Sequence, residues 1–250
     1  MRAGAAAVVM ALFFPGSVAG AGTGCPDGTD GPDEIYCSST DDSHEGDAGD
    51  DLIVGRGGDD LLRGGPGRDR VHGDGGMDML IGDGGGDHLY GGPGADSLAG
   101  SDGNDVLDGS TGADALAGGS GWDQIEGGPD DDEIKAGDGI DRLLGGDGDD
   151  ILSGGRGEDL IYGDRGSDRI FGGSGPDEIY GGEEDDHARP GGGIDVVMMG
   201  GGDDSVDAAD GQRDRIRCGN GFDRVVADEF DRVGESCEEV EVAPPPIDAG

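Results

Sequence analysis

Aliphatic residues recur along most of the chain with a fixed period of nine. The series runs from Ile53 to Val206, and only Ala188 interrupts it with a small side chain. One apolar position in nine is too sparse for the buried stripe of a helix, and the abundant glycine between these positions disfavours a helix further. The pattern instead predicts very short strands that alternate with glycine-rich turns.

The unit at 64–72 illustrates one repeat. Its first six residues are turn residues, because glycine reaches backbone conformations that other residues avoid. Its last three residues form a strand in which Val71 faces inward, while Arg70 and His72 face solvent. A unit this short cannot bury its one aliphatic side chain alone, so the copies must stack as a solenoid.

Two such units complete one coil of the predicted solenoid, so residues 18 apart in sequence lie above one another in a parallel sheet. Eighteen units fill residues 46–207 without an insertion or deletion. They predict an all-β fold, a parallel β-roll of nine coils that is roughly 43 Å tall at about 4.8 Å per strand.

An aspartate precedes each inward position by two residues and so forms a second periodic series. Its members are Asp51, Asp60, Asp69, Asp78, Asp87, Asp96, Asp105, Asp114, Asp123, Asp132, Asp141, Asp150, Asp159, Asp168, Asp177, Asp186, Asp195 and Asp204. Stacking brings them into one row on each edge of the roll, where carboxylates about 5 Å apart repel unless a cation lies between them. The series therefore predicts two rows of metal sites with these aspartates as ligands.

The chemistry of these rows favours calcium. Calcium accepts six to eight oxygen ligands in a loose geometry, and glycine turns expose backbone carbonyls beside the carboxylates, whereas magnesium requires a tight octahedron. No cysteine or histidine falls in the aspartate series, so zinc and copper are disfavoured.

The combined pattern resembles the repeats-in-toxin (RTX, hemolysin-type) family, whose nonapeptide consensus is GGxGxDxUx, with U aliphatic. The resemblance covers residues 46–207. It implies a right-handed β-roll in which aspartate carboxylates and backbone carbonyls hold calcium between neighbouring coils. Eighteen units would offer up to about 16 complete sites, that is 18 minus 2, because the sites lie between coils of two units each.

A few positions depart from the repeat. Asp130 and Glu184 replace the glycine two residues before the aspartate, Ala136, Pro190 and Met199 replace the glycine that opens the unit, and Ala188 replaces the aliphatic residue. Three of these six positions lie within 184–190. We therefore expect 181–207 to be the loosest part of the roll, with weaker sites than 46–180.

The charge of the chain matches a large number of cation sites. The formal net charge is −42, from 58 acidic and 16 basic residues, which disfavours nucleic acid and anionic membranes as partners. Loss of Arg2 and uptake of about 16 calcium ions would leave a charge of about −11. A single aliphatic side chain per nine residues is a thin core, and ordering glycine is costly, so we expect folding to require calcium.

The two ends of the chain differ from the repeats. Residues 1–21 have the pattern of a secretory signal peptide, with Arg2, a short apolar run and a cleavage site after Ala19 or Ala21. An uncleaved anchor is the alternative, although the apolar run is too short to cross a bilayer, and no later segment is long enough. These features predict a secreted, extracellular protein. Residues 243–250 begin with three prolines after Ala243 and are predicted to be a disordered tail.

Four cysteines flank the predicted roll, Cys25 and Cys37 in the N-terminal segment 22–45 and Cys218 and Cys237 in the segment 208–242. An exported chain with an even number of cysteines favours disulfides, and three connectivities are open. We predict local pairing within each segment, with zinc binding as the alternative. Segment 208–242 is rich in arginine and is predicted to be a C-terminal cap over the last edge of the roll.

Catalysis has little support in the sequence. His44, His72, His88 and His187 fall at unrelated phases of the repeat, and neither HExxH nor GxSxG occurs. We therefore predict a secreted calcium-binding repeat protein, not an enzyme, whose roll folds on extracellular calcium and acts as a structural, surface or interaction module. Its extracellular partner is unknown. The alternative is a secreted hydrolase or toxin whose site lies outside the repeats.

Overall fold

A computed structural model describes residues 24–243, and the predicted signal peptide and most of the predicted tail lie outside the described residues. The described chain forms two parallel sheets of 12 strands each. The first, called the odd sheet, contains β1 Glu34–Tyr36, β3 Leu52–Gly57, β5 Arg70–Gly75, β7 His88–Pro93, β9 Val106–Thr111, β11 Gln124–Pro129, β13 Arg142–Asp147, β15 Leu160–Arg165, β17 Glu178–Glu183, β19 Val196–Gly201, β21 Arg215–Asn220 and β23 Arg232–Val233.

The second, called the even sheet, contains the strands that alternate with those of the first. They are β2 Ser43–Glu45, β4 Leu61–Gly67, β6 Met79–Gly85, β8 Ser97–Gly103, β10 Ala115–Gly121, β12 Glu133–Gly139, β14 Ile151–Gly157, β16 Arg169–Ser174, β18 His187–Gly192, β20 Ser205–Asp207, β22 Arg224–Ala227 and β24 Glu239–Val242. The chain passes from one sheet to the other at every turn, so one strand of each sheet makes up a coil.

The pairing register follows the period of the sequence. Val71 of β5 pairs with Ile53 of β3 on one side and with Leu89 of β7 on the other, which are steps of 18 residues. All strand pairs in the described chain are parallel. The predicted all-β parallel β-roll is therefore confirmed, and no helix occurs within residues 24–243.

The core is a single file of aliphatic side chains between the two sheets. The predicted inward residues are buried throughout, with Leu116 the most accessible at 3%. Ala188 is also fully buried in this file, so the one departure from the aliphatic series keeps its inward position. Burial alternates along most strands, as in β5, where Val71 is buried while Arg70 is exposed and His72 is partly exposed.

The strands are longer than the three residues that the repeat predicts, because ladder pairing continues into the glycine-rich part of the unit. In β4 and β6, Gly65 pairs with Asp83 and Pro66 with Gly84. The turn then closes at glycines with positive φ, as at Gly76 (φ 149°), where a side chain would be strained. Glycine thus extends the sheets to the edges of the roll and shapes the bends there.

Both sheets extend beyond the eighteen predicted repeats. Strands β1 and β2 add one coil before residue 46, and β21 to β24 add two coils after residue 207. The turn before Asp214 contains one extra residue, so that Asp195 and Asp214 are 19 apart and yet occupy neighbouring coils. Residues 208–242 therefore contribute paired strands, and their role as a cap stays a prediction.

Disulfides close both ends of the roll. Cys25 is bonded to Cys37, and Cys218 is bonded to Cys237 at a sequence separation of 19. This confirms the local pairing predicted from the sequence, and no free cysteine occurs in the described part of the chain. The alternative of a zinc site formed by four free thiolates is thereby excluded.

Candidate calcium sites along the two edges

The repeat places one aspartate side chain of every unit inside a turn, at the point where the strand begins. Each of the eighteen predicted aspartates is at most 3% exposed. The backbone N–H of each donates to Oδ1 of the corresponding aspartate in the next coil, at 2.7–3.0 Å. The predicted stacking of these carboxylates into two rows is therefore present in the fold.

The second oxygen of each carboxylate has no hydrogen-bond donor. Oδ2 of all eighteen predicted aspartates, and of Asp214 and Asp223 as well, is buried and without a partner. We call these twenty residues the inner-row aspartates. A buried carboxylate oxygen without a donor or a cation is strongly unfavourable, and a repeated set of them indicates a missing positively charged ligand.

Backbone carbonyls lie beside these unpartnered oxygens. Each unit begins with a residue five positions before its aspartate, which we call the cradle residue and which is glycine in most units. At Gly55, a side-chain Cβ would stand within 3.0 Å of both Oδ2 of Asp60 and the carbonyl oxygen of Gly73 in the next coil. The bare face of the glycine therefore lets a carboxylate oxygen and a carbonyl oxygen converge in a small hollow that a side chain would block.

The hollow recurs along both edges. It has the same two oxygens at Gly46, Gly55, Gly73, Gly82, Gly91, Gly100, Gly109, Gly118, Gly127, Gly145, Gly154, Gly163, Gly172 and Gly181, and the carboxylate oxygen at Gly64. The atoms available as metal ligands are therefore all oxygens, and one of the two is anionic, which is the set that calcium prefers. The residues present therefore fit calcium, which the inner-row aspartates and the carbonyls of the cradle residues would hold.

Without a cation the carboxyl groups are poor acids. Burial, opposed only in part by the backbone hydrogen bond, raises the pKa of Asp87 and Asp150 to about 7 and that of Asp132 and Asp186 to about 8. Neighbouring carboxylates of the same row raise these pKa values further. The rows consequently favour protons or metal ions over bare negative charge.

One end of each row has a carboxylate whose second oxygen accepts hydrogen bonds from the protein. Oδ2 of Asp42 accepts hydrogen bonds from the backbone N–H and the hydroxyl of Ser38, at 2.9 and 2.8 Å. At the C-terminal end of the other row, Asp231 accepts the N–H of Asp214 through Oδ1 and that of Asp228 through Oδ2. The unpartnered oxygens are therefore confined to the interior of the rows.

Sequence reasoning placed Asp214 and Asp223 in the predicted cap and not in the rows of sites, and it missed Asp42, which begins one row. Asp214 and Asp223 keep the motif of aspartate, one residue and an aliphatic, but the extra residue before Asp214 puts them out of frame. Asp42 does lie in frame, nine residues before Asp51, and was obscured because Thr40 and His44 stand at the glycine and aliphatic positions. A search of the sequence that allows one inserted residue and one atypical unit in the repeat would have found all three aspartates.

The histidines do not gather at a site. His44 takes the inward position beside Leu62 with its Nε2 buried and unpartnered, and burial lowers its pKa. His72 lies with its ring centroid 5.7 Å from that of Tyr90, and His88 is exposed in the next strand of the odd sheet. His187 lies on the even sheet, where Nδ1 is 3.3 Å from Oγ of Ser205. Each therefore has a separate environment, as their scattered phases predict.

Two parallel sheets joined by acidic, glycine-rich turns define the class of calcium-binding β-rolls. The chain matches the family described as RTX calcium-binding nonapeptide repeat (4 copies) over residues 38–71, 45–80, 72–107, 99–134, 126–161, 136–170 and 162–197. It belongs to this family of calcium-binding repeat proteins, whose β-roll is typically structural and not catalytic. No curated protein matches the chain.

The part of the chain that the structure describes contains no helix long and apolar enough to cross a membrane.

Proposed function

We propose that this protein is a secreted calcium-binding module whose roll assembles when the chain meets extracellular calcium, and that the assembled roll serves as a structural, surface or interaction element. The eighteen predicted aspartates and the carbonyls of the cradle residues would hold the ions between neighbouring coils.

One observation carries this proposal. Twenty carboxylate oxygens are buried in two rows without a hydrogen-bond donor. Leaving so many negative charges unpaired in the interior would destabilise the fold by far more than the net free energy of unfolding of a typical domain. Calcium shared between coils would neutralise them and link each coil to the next, so folding and binding become one process.

Secretion is supported by two independent features of the chain. Both disulfides belong to a class of bond that persists in oxidising compartments. The pattern of residues 1–21 points to the same route. Millimolar calcium outside cells also suits sites of the weak extracellular type, with Kd values of about 0.1–1 mM.

A module role agrees with how the aspartates are used. A hydrolase needs one acid and one base in different environments, whereas the inner-row aspartates share the same burial and the same hydrogen bond. Equivalent carboxylates in rows suit a ligand array. The long, metal-linked roll would then act as a rigid spacer or as a surface for partners outside the cell.

The test is a calcium titration of the chain without residues 1–21 after treatment with a chelator. Far-UV circular dichroism is expected to show a cooperative gain of β-structure at about 0.1–1 mM calcium, and magnesium at the same concentrations is expected not to produce it. An unchanged spectrum between chelator and calcium, or no uptake of calcium in equilibrium dialysis, would overturn the proposal.

A further inference from the structure

The cradle residues are not all glycine, and the exceptions have a pattern along the roll. From Gly46 to Gly181, fifteen of the sixteen cradle residues are glycine, and Ala136 is the exception. Strand pairing then continues the two columns of cradle residues into the last coils. There the positions after Gly181 are Pro190, Met199, Ala208, Cys218 and Ala227. Every cradle residue after Gly181 therefore carries a side chain.

These side chains stand at the place where glycine lets the two oxygens converge. Met199 is fully buried, Ala208 and Cys218 are 1% exposed, and all three belong to the hydrophobic core together with Ala136 and Ala227. In the glycine units, a Cβ at this place would stand within 3.0 Å of the aspartate Oδ2. A carbon atom there prevents the carboxylate and carbonyl oxygens from approaching the backbone as closely as they do in the glycine units, and it puts apolar surface beside them.

The charge of the chain changes at the same boundary. Residues 46–207 carry 40 acidic and 10 basic side chains, whereas residues 208–242 carry ten acidic and five basic ones. The five basic residues are all arginines on exposed positions, namely Arg213, Arg215, Arg217, Arg224 and Arg232. The excess of acidic over basic residues is thus smaller in the last coils, at two to one in place of four to one.

The N-terminal end of one column shows the same replacement. Cys37 lies beside Gly55 in the column, since Tyr36 pairs with Val54 and the N–H of Cys37 donates to the carbonyl of Val54 at 2.9 Å. Its aspartate, Asp42, already has both donors of Ser38 on Oδ2. This column therefore has a disulfide at each end, at Cys37 and at Cys218, and glycine in all the positions between except Met199.

We propose that the side chains of Pro190, Met199, Ala208, Cys218 and Ala227 end the calcium-binding part of the roll. The inner-row aspartates of these coils keep the ligand register but hold no calcium, and the coils are stabilised by apolar packing and by the Cys218–Cys237 disulfide. Ala136 makes the same interruption once within the calcium-binding part.

This inference rests on the proposed function and narrows it, because it denies calcium to three of the eighteen predicted aspartates, Asp141, Asp195 and Asp204, and leaves it to the other fifteen. It also changes the expectation for residues 181–207. Their departures from the repeat predict weak calcium sites, as inferred from the sequence, but the buried Met199, Pro190 and Ala188 argue for metal-independent packing in place of a loose segment.

Native mass spectrometry of the calcium-saturated chain tests the inference through the number of bound ions. Two substitutions remove one ligand without a change of shape. Asp150→Asn lies in a column where the cradle residues Gly127, Gly145 and Gly163 are all glycine, and Asp223→Asn lies beside Cys218. We expect Asp150→Asn to lose at least one ion relative to wild type and Asp223→Asn to lose none.

A third substitution should create a site. Ala136→Gly restores the hollow between the glycine units of Gly118 and Gly154 and is expected to add one ion, whereas the matched control Ala136→Ser keeps a Cβ and is expected to add none. Equal losses for Asp150→Asn and Asp223→Asn, or equal ion numbers for Ala136→Gly and Ala136→Ser, would overturn the inference while the proposed function stands. A wild-type chain that binds no calcium would overturn both.

Discussion

Asp87 accepts the backbone N–H of Asp69 through Oδ1 at 2.8 Å, while Oδ2 of the same carboxyl group is buried with no donor. The first contact links two coils through the protein itself. The second atom requires a proton or a cation. Since this relationship repeats along both edges, the stability of the roll depends on what occupies the unpartnered oxygens.

Acid should substitute in part for calcium. Burial raises the pKa of the inner-row aspartates from 3.8 to values of about 6 (Asp60), about 7 (Asp114) and about 8 (Asp132). The folded, metal-free roll therefore binds protons more tightly than the unfolded chain, and this contribution to stability is present at low pH and is lost as the pH rises through about 6 to 8. In chelator, far-UV circular dichroism should show more β-structure near pH 4.5 than near pH 8.

The opposite dependence holds for calcium binding, because protons compete for the same oxygens. The calcium concentration that half-saturates the folded roll should therefore rise as the pH falls. Repeating the metal-free experiment in high salt separates the buried carboxyl groups from exposed charges, since salt screens mainly the exposed ones. A metal-free chain that gains structure from pH 4.5 to pH 8 would contradict the assignment of the raised pKa values.

Asp132→Asn should have opposite effects on the two forms of the roll. The amide oxygen can still accept the N–H of Asp114, which donates at 2.8 Å to Oδ1 of Asp132, but the buried negative charge is removed. We expect the metal-free form to become more ordered at pH 8 and the calcium midpoint to rise several-fold. Circular dichroism with and without chelator measures both effects.

The control for this substitution is Asp138→Asn, because the Asp138 side chain is 61% exposed and pairs with Arg156 at 3.2 Å. Exposed ion pairs contribute little, so Asp138→Asn should leave both quantities nearly unchanged. The two variants remove the same formal charge. If they shifted the calcium midpoint equally, net charge and not the inner row would control folding.

Truncation of the core file should destabilise the calcium-bound roll strongly. Ile161 is fully buried between the sheets, so Ile161→Ala should reduce the free energy of unfolding by about 2–5 kcal/mol through lost burial and a residual cavity. Urea denaturation in saturating calcium measures the loss. Ile151→Ala is the matched control, because Ile151 lies on the outer face at 37% exposure, and it should cost less than half as much.

Asp130→Gly should stabilise the roll. Asp130 stands at a glycine position of the repeat with a φ of 82°, a backbone conformation that costs a non-glycine residue about 1–2 kcal/mol. Part of that gain is offset because glycine loses more entropy on folding, so we expect a net increase of about 0.5–1 kcal/mol. Asp131→Gly, which removes the acceptor for the N–H of Asp149, should instead lower the urea midpoint.

Much of the fold follows from the sequence because the repeat determines both the spacing and the direction of the side chains. Val71 and Asp69 lie where the period of nine predicts, one inward and one in the turn. The length of the strands does not follow, since propensity places turns at Gly65 and Pro66, while ladder pairing between neighbouring coils overrides that preference. Pairing between neighbouring coils therefore decides that such glycine-rich residues form strands and not turns.

The ends of the roll were harder to predict than its middle. The extra residue before Asp214 and the atypical Thr40 and His44 interrupt the pattern in the sequence, although the sheets continue through both places. Which units would hold calcium also depends on distances that the sequence does not give. A Cβ on Gly145, for example, would lie too close to Oδ2 of Asp150 in the same unit and to the carbonyl oxygen of Gly163 in the next coil.

A crystal structure of the chain grown in saturating calcium tests the central claim most directly. The account predicts electron density for calcium in two rows along the edges, at about 2.3–2.6 Å from Oδ2 of inner-row aspartates such as Asp87 and Asp132. Rows in which those oxygens contact only water, or in which the carboxyl groups turn outward and the roll remains intact, would contradict it.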